Sequence, residues 1–207
     1  MNIGITFNLK QEPGPGLAED TFEEFDAPET VDALAAALRS GGHEVFKLGW
    51  GLGVIDDIQR HAVEFVFNIA EGLSGRNRES LMPALLEFAG VPYSGSDALT
   101  LALTLDKAKA KAVVASAGVN TPAFAVIEEG KMRGARPRFP LFVKPLCEGS
   151  SKGIRAQSRV ANQRDLEERL SWLGERYGKI PVLIERFIDG REVTGGGLGN
   201  APPYVLG

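Results

Sequence analysis

An apolar strand, Pro140-Leu-Phe-Val143, ends in Lys144 and runs without a break into Pro145-Leu-Cys-Glu148-Gly149-Ser150-Ser151-Lys152-Gly153-Ile154. Few arrangements suit a lysine delivered by a strand into a Gly/Ser loop. Such a loop offers backbone N–H groups and hydroxyls that wrap phosphate oxygens, and the lysine adds a point charge. A second motif follows: Leu183-Ile-Glu185-Arg-Phe-Ile-Asp189-Gly190-Arg-Glu192. Here an apolar strand ends in a carboxylate, as an edge that receives a base and a ribose would. Together the two motifs read as half of a nucleotide site.

The rest of the chain supports a folded, water-exposed protein. Its 207 residues are 43% hydrophobic and 24% charged, enough for a real core and unlike a disordered chain. The net charge of -4 gives no reason to expect nucleic acid or a membrane as partner. The distribution says more. Residues 1–50 hold nine acidic and three basic side chains, whereas residues 101–160 hold eleven basic and four acidic ones. A positive field around the Gly/Ser loop suits a polyanionic ligand; a solvated lysine face at 107–111 accounts for part of the excess. Cys147 is the only cysteine, which excludes an intrachain disulfide and points to a reducing cytoplasm. With His43 and His61 far off in sequence, it reads as a small packing residue rather than a catalytic thiol. The N-terminus lacks a basic, apolar leader, and no run reaches the length of a membrane span.

Hydrophobic periodicity predicts a buried first strand over 2–9, a loop over 10–25, and a helix started by Asp26-Ala-Pro28-Glu29 with Val31, Leu34, Ala35 and Leu38 on one face. Strands follow over 44–48 and 63–69, the latter apolar enough to be buried on both faces. Helices are expected over 81–88, over 98–103 behind an Asp97 cap, and over 107–117 behind Asp106. The β-α-β-α-β-α order predicts a doubly wound parallel sheet in an N-terminal α/β domain, residues 1–95, with ligands beyond the carboxyl ends of its strands. A helical connection, 96–120, leads to an α+β domain, 121–207, with short strands at 123–127, 141–144, 154–157, 182–185 and 193–198 and a helix near 163–173.

Each candidate residue has a plain structural reading beside a chemical one. Lys144 is a strand-end surface lysine or a phosphate contact; the loop that follows favours contact. That loop is not a Walker loop, for serines separate Gly149 from Gly153 and no long helix follows. Lys107 is a solvated helix lysine or, at a helix start, part of an anion site. Glu185 and Glu192 are solvent-facing strand ends, or they bind base and ribose with Phe187-Ile188 packed on the ring. The loop Glu71-Gly72-Leu-Ser-Gly-Arg76-Asn-Arg78-Glu79 mixes charges behind the third strand, as a zwitterionic substrate requires or as a capped, solvated loop would show.

These residues together resemble the D-alanine–D-alanine ligase branch of the ATP-grasp superfamily. The resemblance runs through Phe67-Asn-Ile-Ala-Glu71-Gly72, Leu85-Leu-Glu87-Phe-Ala-Gly90-Val-Pro92-Tyr93-Ser-Gly95-Ser96, Leu105-Asp106-Lys107, Val143-Lys144-Pro145, Glu148-Gly-Ser-Ser151 and Ile184-Glu185…Glu192. It implies that Lys107, Lys144 and Glu148 serve the ATP phosphates. It places Ser150 and Ser151 in a mobile catalytic loop and Glu71 on the substrate side. Glu185 and the backbone of Arg186, Phe187 and Ile188 would take adenine, and Glu192 the ribose. The implied reaction activates a D-alanine carboxylate as an acyl phosphate for attack by a second amine in peptidoglycan synthesis. Mg²⁺ would be held by residues beyond this chain, so that none of its own side chains is a metal ligand.

Three departures from the family stand out. Glu71-Gly72 replaces a histidine-glycine pair. Asn8-Leu-Lys10-Gln-Glu12 and an acidic stretch replace a glycine-rich loop with its glutamate, and Glu12, Glu23 or Glu24 is left to supply that acid. Third, the metal ligands of the family do not appear before Gly207, which reads as an incomplete ATP-grasp domain, inactive alone. Against the ligase stand a non-catalytic nucleotide- or amino-acid-binding module and a ligase for another amino acid. The open sheet edge would favour a homodimer.

Overall fold

The computed structural model describes residues 1–200 and 202–206. It is a mixed α/β structure. The first half holds a parallel sheet of β1 (Asn2–Thr6), β2 (Glu44–Gly49) and β3 (Phe65–Asn68), in the order β2-β1-β3. The central strand β1 is the most buried of the three, as its position between two neighbours requires. Helix α1 (Pro28–Ser40) connects β1 to β2, and its Leu34, Ala35 and Leu38 pack with Ile5, Val45 and Phe67. Helix α2 (Val54–Arg60) connects β2 to β3. Its Val54 and Ile58 form a second cluster with Val66 and with Met82 and Leu86 of α3 (Arg78–Ala89).

Helix α4 (Ala98–Leu105) starts behind the expected cap, for the Asp97 carboxylate accepts from the Thr100 N–H. Asp106 accepts from the N–H groups of Ala108 and Lys109 and opens α5 (Lys107–Ser116). The second half is a five-stranded antiparallel sheet, ordered β5-β4-β8-β6-β7, from β4 (Phe124–Glu128), β5 (Lys131–Arg133), β6 (Leu141–Pro145), β7 (Arg159–Val160) and β8 (Val182–Arg186). Ala125, Leu141, Val143, Val182 and Ile184 point to one face and pack on Leu166 and Leu173 of α6 (Gln163–Tyr177). Alternation then puts Phe124, Phe142, Lys144, Leu183 and Glu185 on the other face. A hairpin, β9 (Gly196–Leu198) and β10 (Tyr204–Leu206), ends the described chain.

Four local expectations are corrected. Asp26 does not cap α1; Pro28 forces its predecessor Ala27 into the extended N-cap position, and Asp26 pairs instead with Leu9 in a short bridge. Residues 154–157 are not a strand. The Ser158 hydroxyl accepts from the Arg155 N–H at 3.0 Å and draws 156–158 into a 3-10 turn, so that β7 begins only at Arg159. The strand expected at 193–198 shrinks to Gly196–Leu198. In β3 only Val66 is fully buried.

Ile184 is fully buried at the middle of the antiparallel sheet. Ile184→Ala is expected to lower the unfolding free energy by about 2–5 kcal/mol in urea titration, with Val205→Ala, on the exposed hairpin, staying within about 0.5 kcal/mol of the parent.

Candidate nucleotide half-site

The antiparallel register sets Phe142 opposite Glu185 and Lys144 opposite Leu183. Lys144 and Glu185 thus share the face away from α6. The Lys144 ammonium lies 2.6 Å from Glu185 Oε1, and Lys111 of α5 lies 2.7 Å from Oε2. Lys111 also donates to the Thr121 hydroxyl at 2.7 Å and sits over the Phe124 ring. Burial alone would raise the Glu185 carboxyl, but its bonds to Lys111 and Lys144 hold it below the usual carboxylate range. Lys107 donates to the carbonyls of Leu146 and Glu148. Burial first, and then the nearby Lys144 charge, pull it below the ordinary lysine range.

The supposed solvated face at 107–111 is therefore half wrong. Lys109 is exposed, but Lys107 and Lys111 are one helical turn apart and turn inward together. That spacing was readable in the sequence, and Lys111 is the residue it should have added.

Beyond Glu185 the strand end is largely spoken for. The N–H groups of Arg186 and Phe187 bond to Ala123 and Pro140 carbonyls, both at 2.9 Å. Arg186 and Ile188 are exposed, and the Phe187 ring stacks near Phe142 and under Arg159. Glu192 is exposed and makes no hydrogen bond or ion pair among the described residues.

The Gly/Ser loop packs against residues far away in sequence. Glu24, buried at 3% side-chain exposure, accepts from the Gly149 N–H at 2.7 Å and from Arg78 with both oxygens at 2.7 and 2.9 Å. Arg78 in turn donates to the Cys147 carbonyl at 2.8 Å. Glu148 pairs with Lys152 at 2.8 Å and lies 3.6 Å from Arg78. Asp20 accepts from the Gly153 N–H at 3.1 Å. Ser150 and Ser151 are exposed in left-handed conformations, with φ of 43° and 59°. The Cys147 thiol is half-buried, and burial pushes it upward, as suits a packing residue.

Of the acids left open by the sequence, Glu24 is buried against Arg78 and the Gly/Ser loop, whereas Glu12 and Glu23 are exposed. Glu24, Glu71 and Glu79 bring carboxylate oxygens within 4.8 Å of one another, and Arg78 supplies positive charge among them. Glu71 is anchored through its backbone, since Asn8 Oδ1 accepts from the N–H groups of Glu71 and Gly72 at 3.0 and 2.9 Å. A side chain at Gly72, with φ of 75°, would strike the Arg78 carbonyl. Burial, reinforced by Glu79 and Glu24, pushes the Glu71 carboxyl up to about 7. A cleft of about 670 Å³ opens beside this cluster, lined by Arg76, Arg78, Lys109, Cys147, Glu148 and Lys152 among others.

Because Glu71 holds its proton more tightly folded than unfolded, the native state loses stability as pH rises from about 4.5 to about 7. Glu71→Gln is expected to match the parent near pH 4 and, with solvent screening of a partly exposed group allowed for, to exceed it by on the order of 1–2 kcal/mol at pH 8 in urea unfolding. An equal gap at both pH values would refute the assignment.

Comparison with known proteins agrees with the motifs. A family model described as D-ala D-ala ligase C-terminus matches residues 113–207. The D-alanine–D-alanine ligase of Desulforudis audaxviator is 35% identical over 179 residues, covering 84% of this chain and 56% of that protein. That of Aquifex aeolicus is 34% identical over 180 residues, covering 86% and 60%. The chain thus spans little more than half the length of the curated relatives it matches. Among solved structures, the VanG D-Ala:D-Ser ligase of Enterococcus faecalis superposes with a TM-score of 0.69 at 20% identity, over 99% of this chain and 67% of that one. A Bacillus anthracis D-alanine–D-alanine ligase complexed with ATP gives 0.66 at 22%, over 92% and 60%. By sequence and by fold, the chain is related to the D-alanine–D-alanine ligase family.

Proposed function

We propose that this chain forms the substrate-side and nucleotide-side halves of an ATP-dependent carboxylate–amine ligase, with D-alanine or a related amino acid as substrate. The observation that carries it is the convergence of Lys107, Lys144 and Glu185 on one sheet face next to a Gly/Ser loop. Three part-buried lysines, Lys107, Lys111 and Lys144, beside the one carboxylate of Glu185 leave positive charge in a desolvated place, which favours a polyphosphate. Lys107, Lys144 and the N–H groups of Ser150 and Ser151 would hold the phosphates, with Glu148 orienting Lys152 beside them. Glu185 and Phe187 would meet the base. Since the Arg186 and Phe187 N–H groups are used within the sheet, Ile188 is left to read the ring edge through its backbone, and Glu192 to reach the ribose. ATP, when bound, supplies the phosphoryl group that makes a carboxylate open to amine attack; Mg²⁺ would screen its charge. Glu71, with Glu24, would face the amino acid.

In this reading residues 1–95 are the substrate-side domain, with a doubly wound, pre-ATP-grasp sheet; 96–120 connect; and 121–207 belong to an ATP-grasp domain. No described helix is long and apolar enough to cross a membrane, and we place the protein in the cytoplasm, with self-association through an open sheet edge.

Calorimetric titration with Mg-ATP tests the reading. The parent chain is expected to saturate, and Lys144→Ala to bind at least about tenfold more weakly, a loss of about 1.4 kcal/mol. Equal binding by the two proteins would refute the role of Lys144.

A further inference from the structure

The loop between Gly149 and Gly153 is held at both ends by carboxylates from one short segment of the N-terminal half. Glu24 takes the Gly149 N–H, and Asp20, one helical turn earlier in spacing, takes the Gly153 N–H. Both glycines fit tightly. A Cβ at Gly149 would lie 2.5 Å from Glu24 Oε1, and one at Gly153, with φ of 70°, would lie 2.6 Å from the Pro145 ring. The Gly153 carbonyl is fixed as well, by the buried Arg169.

Asp20 is itself built in. It is 7% exposed, and its Oδ2 also accepts from the Tyr177 hydroxyl at 2.6 Å and lies 3.4 Å from Arg155. Its Oδ1 is buried without a hydrogen-bond partner among the described residues. A buried carboxylate that leaves one oxygen unused is costly, and its bonds to Tyr177 and Arg155 hold it where it can accept from the Gly153 N–H at the far end of the loop. Within the loop, Lys152 N–H bonds to Gly149 O and Ile154 N–H to Ser151 O, so the ring of turns closes on itself. The Ser150 and Ser151 N–H groups make no hydrogen bond among the described residues. Both residues hold left-handed φ values, which cost a non-glycine residue on the order of 1 kcal/mol or more and persist only where the surroundings impose them. Successive N–H groups in such conformations form an anion-binding concavity.

We propose that Asp20, paired with Glu24 at the other end, is a positioning residue: it clamps the loop so that the Ser150 and Ser151 N–H groups are presented together to a polyphosphate. This rests on the nucleotide reading above, and inorganic tripolyphosphate separates the two. Asp20→Ala is expected to weaken binding of tripolyphosphate and of Mg-ATP about tenfold and to speed hydrogen exchange over 149–154. Asp20→Asn keeps an oxygen for the Gly153 N–H and is expected to stay within about threefold of the parent. Should Asp20→Ala not fold, Tyr177→Phe removes one donor from Asp20 without touching the loop, and is expected to weaken tripolyphosphate binding about threefold. Parent-like tripolyphosphate affinity in folded Asp20→Ala, or in Tyr177→Phe where that is the variant used, overturns the clamp. So does a parent chain that binds no tripolyphosphate. Tripolyphosphate binding without Mg-ATP binding overturns the nucleotide reading and leaves the clamp standing.

Discussion

Helix α5 buries none of its residues, yet it lies across the antiparallel sheet. What holds it there is charge. Lys111 reaches Glu185, Lys107 reaches two carbonyls of the strand–loop junction, and Asp106 caps the first turn. Glu185, at 9% exposure in the middle of a sheet, is kept ionised by Lys111 and by Lys144 of β6, without which burial would favour its neutral form. The carboxylate and the two ammonium groups therefore depend on one another, and the helix depends on all three. A buried ion pair is weak evidence for stability, since desolvation consumes much of its Coulombic gain. Its meaning here is positional: it fixes Lys111 and Lys144 on the sheet face opposite α6, where the proposed function needs positive charge.

The charge asymmetry of the sequence acquires a second explanation from the structure. Acidic residues of the first fifty meet two basic residues of the 101–160 stretch directly, Glu24 with Lys152 and Asp20 with Arg155, and Glu24 and Glu19 also take Arg78 and Arg176 from outside it. Part of the positive field around the Gly/Ser loop is thus met within the chain. On the proposed reading, what a ligand would meet is Lys107, which has no carboxylate partner among the described residues, Lys144 beside Glu185, and the Ser150 and Ser151 N–H groups. A field shaped in this way favours an anion at the loop tip over one spread along the whole face.

Most elements were legible because local signals and tertiary packing agreed. Asp97 and Asp106 cap the helices their positions announce, and the apolar runs of β6 and β8 that end in Lys144 and Glu185 announce two central strands. Legibility failed where a side chain competed with the backbone or where the partner was remote. Ser158 turns a β-prone stretch through its hydroxyl, a contest that hydrophobic pattern does not register. Asp20 and Glu24 looked like members of a polar loop because their partners, Gly153 and Gly149, lie more than a hundred residues away. Lys111 failed for a different reason: its inward turn followed from its spacing to Lys107, but a lysine-rich helix reads as solvated until the carboxylate beneath it is known.

The two substrate-side departures from the ligase pattern reduce to one. Asn8, at the end of the first strand, uses its side-chain oxygen to hold the backbone of Glu71 and Gly72 after the third. Gly72 must be glycine because Arg78 crowds it, and Arg78 is held by Glu24 from the segment that follows Asn8. Changing the first loop without the second would leave the Glu71 and Gly72 N–H groups without their acceptor; changing the second without the first would leave Glu24 without its arginine. Glu71 therefore stands where it does because hydrogen bonds at Asn8 and Glu24 and the close Gly72–Arg78 contact tie the two loops together. Its carboxyl makes no hydrogen bond or ion pair among the described residues and, pushed up to about 7 by burial and by Glu79 and Glu24, changes charge near neutral pH.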